Sequence, residues 1–185
     1  MPRDAVRAFV ALELDDATRG RLRSLVGELR ERVEGASWVR PEGMHLTLRF
    51  LGDASPSALE AMKPRLREAA SRCPAAAPAV SGLGLFPERG RARVLWIGIA
   101  VPPAVVALQA ECEAAAVAAG FAPEPRAFSP HLTLGRWRDP APRPELPPRD
   151  LGPASLRSLV LFRSDLDPGG ARHTPLQRFA LGGAS

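Results

Sequence analysis

The sequence predicts an α/β chain built as two pseudo-symmetric lobes around a central cleft, and three observations carry that expectation. The tetrapeptide His-Leu-Thr-Leu occupies residues 45–48 and returns at residues 131–134, 86 residues later. Shifting the whole chain by 86 lays the apolar stretch 8–12 on 94–98, the helical segment 16–34 on 102–120, and Arg40 on Arg126, in one order without a gap. A chain of 185 residues, 45% hydrophobic and 24% charged, suits one domain whose core needs no disulfide or metal staple. The repeat units span roughly residues 5–52 and 91–138 of a single domain covering residues 1–185.

Each element has a local reason. Residues 8–12 read as a buried strand because apolar residues run without interruption. The next helix places Leu22, Leu25, Val26 and Leu29 on one face, starts at an Asp pair suited to N-capping, and stops at Gly35. Ser57-Ala58-Leu59-Glu60 resembles a capping box before a helix with Leu59, Met62 and Leu66 inward, in which Pro64 should kink the pattern or mark its start. Residues 80–86 and 92–100 read as strands joined by a hairpin loop, and 102–120 as the second copy of the helix. Residues 139–153 hold six prolines in fifteen positions and read as an irregular surface connection. Two late strands, 156–162 and 176–181, flank a turn at Asp167-Pro168-Gly169-Gly170.

The net charge is +5, nearly all of it arginine, since Lys63 is the only lysine. Arginine grips phosphate through two hydrogen bonds, so a phosphorylated or nucleic-acid partner fits, as does a plain basic surface. Cys73 and Cys112 lack metal-site spacing and read as buried thiols of a reducing compartment. The N-terminus does not resemble a secretory leader and no apolar run approaches a bilayer span, which predicts a cytoplasmic protein with no membrane partner.

The repeated tetrapeptide carries the chemistry. Side chains alternate along a strand, so His45 and Thr47 share one face while Leu46, Leu48 and Phe50 take the other. His131 and Thr133 share a face in the second copy, with Leu132 and Leu134 behind. Lobe symmetry then brings both histidines to one cleft. Displacement at phosphorus needs a base behind the attacking water and an acid opposite it at the leaving oxygen, and imidazole suits both roles. Two hydroxyls can donate to the non-bridging oxygens as charge builds. A zinc site would need a third ligand, which the pattern does not supply, and no cofactor-binding motif appears.

These residues resemble the 2H phosphoesterase superfamily, and within it the bacterial and archaeal RNA 2′,3′-cyclic phosphodiesterases, also called 2′-5′ RNA ligases. The likeness runs from Arg7-Ala8-Phe9-Val10-Ala11-Leu12 through Trp38-Val39-Arg40-Pro41 and His45-Leu46-Thr47-Leu48-Arg49-Phe50-Leu51-Gly52. It continues through Leu83-Gly84-Leu85-Phe86-Pro87 and Phe128-Ser129-Pro130-His131-Leu132-Thr133-Leu134-Gly135-Arg136 to Leu161-Phe162-Arg163-Ser164. The resemblance implies antiparallel sheets lining the cleft and metal-independent hydrolysis of an RNA 2′,3′-cyclic phosphate end to a 2′-phosphomonoester. It makes His45 the proton donor to O3′ and His131 the acceptor from water. Thr47, Thr133 and Arg136 would hold the phosphate, with Phe9, Ser129 and Pro130 at the substrate side. Strict alternation points Arg136 away from the cleft unless Gly135 hosts a bulge. Arg49 has cleft-facing parity and equally suits a solvated strand end. His173 reads as an exposed position able to contact the terminal base, and Trp38 and Trp137 as base-stacking or strand-end packing residues.

Three further readings share these features. The same groups would serve a phosphodiesterase acting on small cyclic nucleotides or an ADP-ribose cyclic phosphate, and a non-catalytic RNA-binding module is the alternative outside enzymes. An ATP-driven ligase is disfavoured because Lys63 stands outside any Gly-rich phosphate loop. The expected substrate is RNA with a cyclic phosphate end, transfer-RNA fragments among the candidates, and the expected state is a monomer able to run weak 2′-5′ joining in reverse.

Overall fold

Two antiparallel sheets carry the repeat. The computed structural model describes residues 5–167 and 170–182, so the N-terminal stretch read for a leader and the Pro168-Gly169 part of the late turn lie outside the described residues. In chain order the elements are β1 (Val6–Glu13), α1 (Asp16–Arg30), β2 (Ser37–Trp38), a 3₁₀ turn (Pro41–Gly43), β3 (His45–Ala54), α2 (Pro56–Arg72), β4 (Ala79–Phe86), β5 (Ala92–Ile99), α3 (Pro103–Ala118), β6 (His131–Ala141), β7 (Asp150–Pro153), β8 (Ser158–Asp167) and β9 (Gly170–Ala180). One sheet has the order β3-β1-β8-β9 and the other β2-β6-β5-β4-β7, with antiparallel neighbours throughout.

The halves interlock. α1 comes after β1 yet docks on the opposite sheet, where Arg149 pairs with Glu28 at 2.7 Å and the Trp137 indole N–H donates to the Glu34 carbonyl at 2.9 Å. α3 comes after β5 and lies behind β3, where the Gln109 amide donates to the Leu48 carbonyl and Glu113 pairs with Arg49. β2, from the first half, adds an edge to the second sheet opposite Gly135 and Arg136. This exchange joins nearly all buried apolar side chains of both halves into one core, to which both motif strands contribute.

Several local expectations change. The α2 N-cap is Ser55, whose hydroxyl accepts from the Ala58 N–H at 3.2 Å, two residues before the expected box. The helix runs through Pro64, which lies on the exposed face where the freed carbonyl can bind water. The proline-rich segment is part strand: β6 extends to Ala141, and β7 is a short edge strand, a position that tolerates proline. β2 escapes sequence reading because two residues show no period. Among the described residues no helix is long and apolar enough to cross a membrane.

Equivalent bulges set which side chains reach the cleft. In β3 the partners of Val10 and Ala11 are Arg49 and Thr47, leaving Leu48 as the extra residue. In β6 the partners of Leu95 and Trp96 are Gly135 and Thr133, leaving Leu134 as the extra residue. Each bulge reverses the alternation beyond it. Phe50, expected behind the strand, is therefore on the cleft face and 48% exposed, while Arg49, expected toward the cleft, is 6% exposed against Glu113. The same reversal brings Arg136 to the face of Thr133, as a bulge beside Gly135 requires.

Candidate active site

β3 and β6 approach within 8 Å, Cα to Cα, so the two motif strands are neighbours across the junction of the sheets. On the first sheet His45 lies opposite Glu13, Thr47 opposite Ala11 and Phe50 opposite Phe9, which puts all six on one face. On the second, His131 lies opposite Gly98, Thr133 opposite Trp96 and Arg136 opposite Val94. Matching partners differ by 85 residues along β1 and β5 (Ala11 to Trp96) and by 86 along the motif strands, so the overlay slips by one in the first strand.

Aromatic rings hold each histidine. The His45 ring stacks on Phe9 at 4.6 Å and lies 5.6 Å from Phe162, and His173 meets it edge-on at 5.1 Å. Phe9, Ala11, Val160 and Phe162 form a small apolar cluster of their own, separate from the main core, as the floor beneath His45. His131 packs edge-on against Phe86 at 5.0 Å and near Trp96 at 6.2 Å. The indole needs the space above Gly84, where a Cβ would fall 2.1 Å from the ring.

Hydrogen bonding selects the tautomer. The His131 Nδ1 lies 2.7 Å from the Ser129 carbonyl, and a carbonyl only accepts, so Nδ1 carries the proton and Nε2 is the free nitrogen. The Gly43 carbonyl, also two residues upstream, accepts a hydrogen bond from the His45 ring. Burial, then the neighbouring His173 and more weakly Arg19, push His45 down to about 3 against the opposing Gly43 carbonyl. Burial also lowers His131, opposed by the Ser129 carbonyl and aided by the charge of Arg136. Both shifts favour the neutral imidazole in the free protein, and the bare Nε2 of His131 is a base able to accept a proton.

These directions set a pH dependence. Acid–base work by the pair would need one imidazole protonated and the other neutral, a state confined between two macroscopic pKa values that both lie below the ordinary 6.5. For free protein and substrate, kcat/KM should describe a bell whose basic limb falls below pH 6.5. A phosphate anion between the imidazoles would raise both, so the basic limb of kcat should lie at higher pH. Initial rates across pH 4 to 9 follow the basic limb, and a flat kcat/KM over that range would contradict a pair of titrating histidines.

Not every expected residue reaches the cleft. His45, Thr47, His131, Thr133 and Arg136 share the faces described, and Phe9 supports His45 at 2% exposure, too buried to stack a base. Ser129 contributes its carbonyl rather than its hydroxyl, with partly buried Pro130 between it and His131. His173, expected to be exposed, is partly buried against Phe9 and His45. Trp137 is a core residue, while Trp38 lies over Gly135 on β2. Sequence reading misses Phe50, Phe86, Trp96 and Phe162; Gly84, the β4 partner of Trp96, is the available signal for the indole. Among the described residues no group of three or more His, Cys, Asp or Glu is placed to hold a metal ion.

Comparison with known proteins agrees with this geometry. Residues 12–96 and 97–172 match, in two parts, the family described as LigT like phosphoesterase. The RNA 2′,3′-cyclic phosphodiesterase of Methanothermobacter thermautotrophicus is 31% identical over 183 residues, covering 95% of this chain and 99% of that protein. The crystal structure of TT0787 of Thermus thermophilus is similar with a TM-score of 0.83 at 29% identity, covering 97% of this chain and 100% of that one. That of E. coli LigT complexed with 3′-AMP gives a TM-score of 0.83 at 26% identity, covering 96% and 99%. With paired histidine strands on two antiparallel sheets and a match spanning both halves, the chain belongs to the LigT-like phosphoesterase family of the 2H superfamily.

Proposed function

We propose that this chain hydrolyses the 2′,3′-cyclic phosphate end of RNA to a 2′-phosphomonoester, the whole chain acting as one catalytic domain. The observation that carries the reading is the pair of His-x-Thr strands, each imidazole hydrogen-bonded to the backbone carbonyl two residues upstream and His131 thereby held with Nδ1–H and a free Nε2. Water attacks phosphorus as His131 Nε2 takes its proton; the P–O3′ bond breaks and protonated His45 gives its proton to O3′. The product carries a 2′-phosphate and a 3′-hydroxyl, and the two histidines have exchanged protonation states. Thr47 and Thr133 donate to the non-bridging oxygens, and Arg136 supplies a cation. Phe9 holds His45 in place, while Ser129 fixes the His131 tautomer and Pro130 restrains the backbone between them.

With the 5′-hydroxyl of a second RNA in place of water, the same site would open the cyclic phosphate to a 2′-5′ phosphodiester with O3′ again leaving, a weak ligation without ATP. The reading places a monomer in the cytoplasm, acting on fragments such as transfer-RNA halves; two buried free thiols, Cys73 and Cys112, suit a reducing compartment. No cofactor enters any step.

The substrate class is tested by comparing kcat/KM for a short RNA with a cyclic end, a nucleoside 3′,5′-cyclic phosphate and an ADP-ribose cyclic phosphate. The RNA end is expected to lead by about tenfold or more, the value of one added phosphate contact. A lead of that size for either small molecule would replace RNA as the substrate, and tight RNA binding without turnover would favour a binding module.

A further inference from the structure

A cavity of about 490 Å³ opens beside His45, and its lining comes from the first sheet, α1 and the 3₁₀ turn, with nothing from β6. Arg19 and Arg23 stand one helical turn apart on α1 and both face it. Their ion pairs sit at the rim: Arg19 meets Asp16, whose side chain is 99% exposed, and Arg23 meets Glu42, whose side chain is 64% exposed. Exposed pairs of this kind are weak and give way to a doubly bonded anion. Arg178 is different, because it is held to Glu13 by two bonds of 3.0 Å. Arg19 has only 24% of its side chain exposed, and its buried Nε has no hydrogen-bond partner.

In the hydrolysis proposed above, His45 serves the leaving O3′, so the ribose and the rest of the RNA lie on its flank. The next anion along the chain is the phosphate on O5′ of that same ribose. We infer that the cavity is a second phosphate subsite in which Arg19, assisted by Arg23, holds the O5′ phosphate of the terminal nucleoside. It selects RNA ends over 5′-hydroxyl nucleosides and sets the direction in which the strand enters. Arg19 also acts on the imidazole of His45 through its charge. A phosphate neutralising that charge would let His45 take up the proton it must donate, which couples strand recognition to catalysis.

The test rests on the reading that His45 protonates O3′, and it uses three substrates: adenosine 2′,3′-cyclic phosphate with a free 5′-hydroxyl, the same nucleotide with a 5′-phosphate, and a dinucleotide with a cyclic end. The informative quantity is the ratio of kcat/KM between O5′-phosphorylated and 5′-hydroxyl substrates, which is independent of how much protein is folded. The full chain is expected to favour the phosphorylated forms by roughly tenfold or more, and Arg19→Gln and Arg23→Gln to move that ratio toward one. Arg19→Lys should retain part of it. Preference for the dinucleotide alone would assign an internal diester; preference for both would assign any O5′ phosphate. A ratio near one in the unmodified chain, or equal losses on all substrates in Arg19→Gln, would overturn the subsite. Absence of turnover on every substrate would overturn the hydrolase reading itself.

Discussion

Replacing His45 or His131 by alanine is expected to cut turnover by roughly 10²- to 10⁴-fold, the value of one proton transfer. Each loss should appear in kcat, because the imidazoles act on the attacking water and the leaving oxygen rather than on bound substrate. Both histidines are only partly buried at the ends of motif strands, and the leucines behind them, Leu46 and Leu132, are 1% and 0% exposed. The core that anchors those strands is untouched, so the variants should fold. The double variant should lose far less than the product of the two single losses, since removing one partner already disables a concerted transfer. Steady-state kinetics beside a thermal unfolding curve checks all of this. A single variant that retains near-full rate would contradict the two-histidine site.

The threonine pair carries the second large effect. Valine keeps the β-branched shape that Thr47 and Thr133 present to the strand and removes only the hydroxyl. Each Thr→Val change is expected to lower kcat by roughly 10²-fold if its hydroxyl meets the developing charge, as for other oxyanion donors. The bulges support that placement: Leu48 and Leu134 re-aim only the residues C-terminal to them, leaving each His and Thr two residues apart on one face. A double variant within threefold of the parent would remove the hydroxyls from the mechanism.

Much of this is legible in the residues. The repeated tetrapeptide, the apolar strands before it and the helices between require only the 2.0 and 3.6 periods, and duplication places both motifs at one cleft. The features that escape are governed by pairing. Nothing in His-Leu-Thr-Leu-Arg-Phe announces that Leu48 is unpaired, so simple alternation puts Arg49 and Phe50 on the wrong faces. Gly135 hints at the matching event in the second copy, because a bulge there is cheap. His173 is misjudged from sequence because its strand reaches the site only through β8, which sets it against His45 from more than a hundred residues away. The helix exchange is also invisible: amphipathic spacing in α1 identifies a buried face but not the sheet that covers it.

The two-histidine mechanism is tested most directly by incubating a short RNA bearing a 2′,3′-cyclic phosphate with the protein in excess EDTA and resolving the product as 2′- or 3′-phosphate. The two-histidine account predicts prompt conversion to the 2′-phosphate alone, unaffected by the chelator. Formation of the 3′-phosphate would contradict the assignment of O3′ as the leaving oxygen, and no conversion by a folded sample would contradict the hydrolase itself.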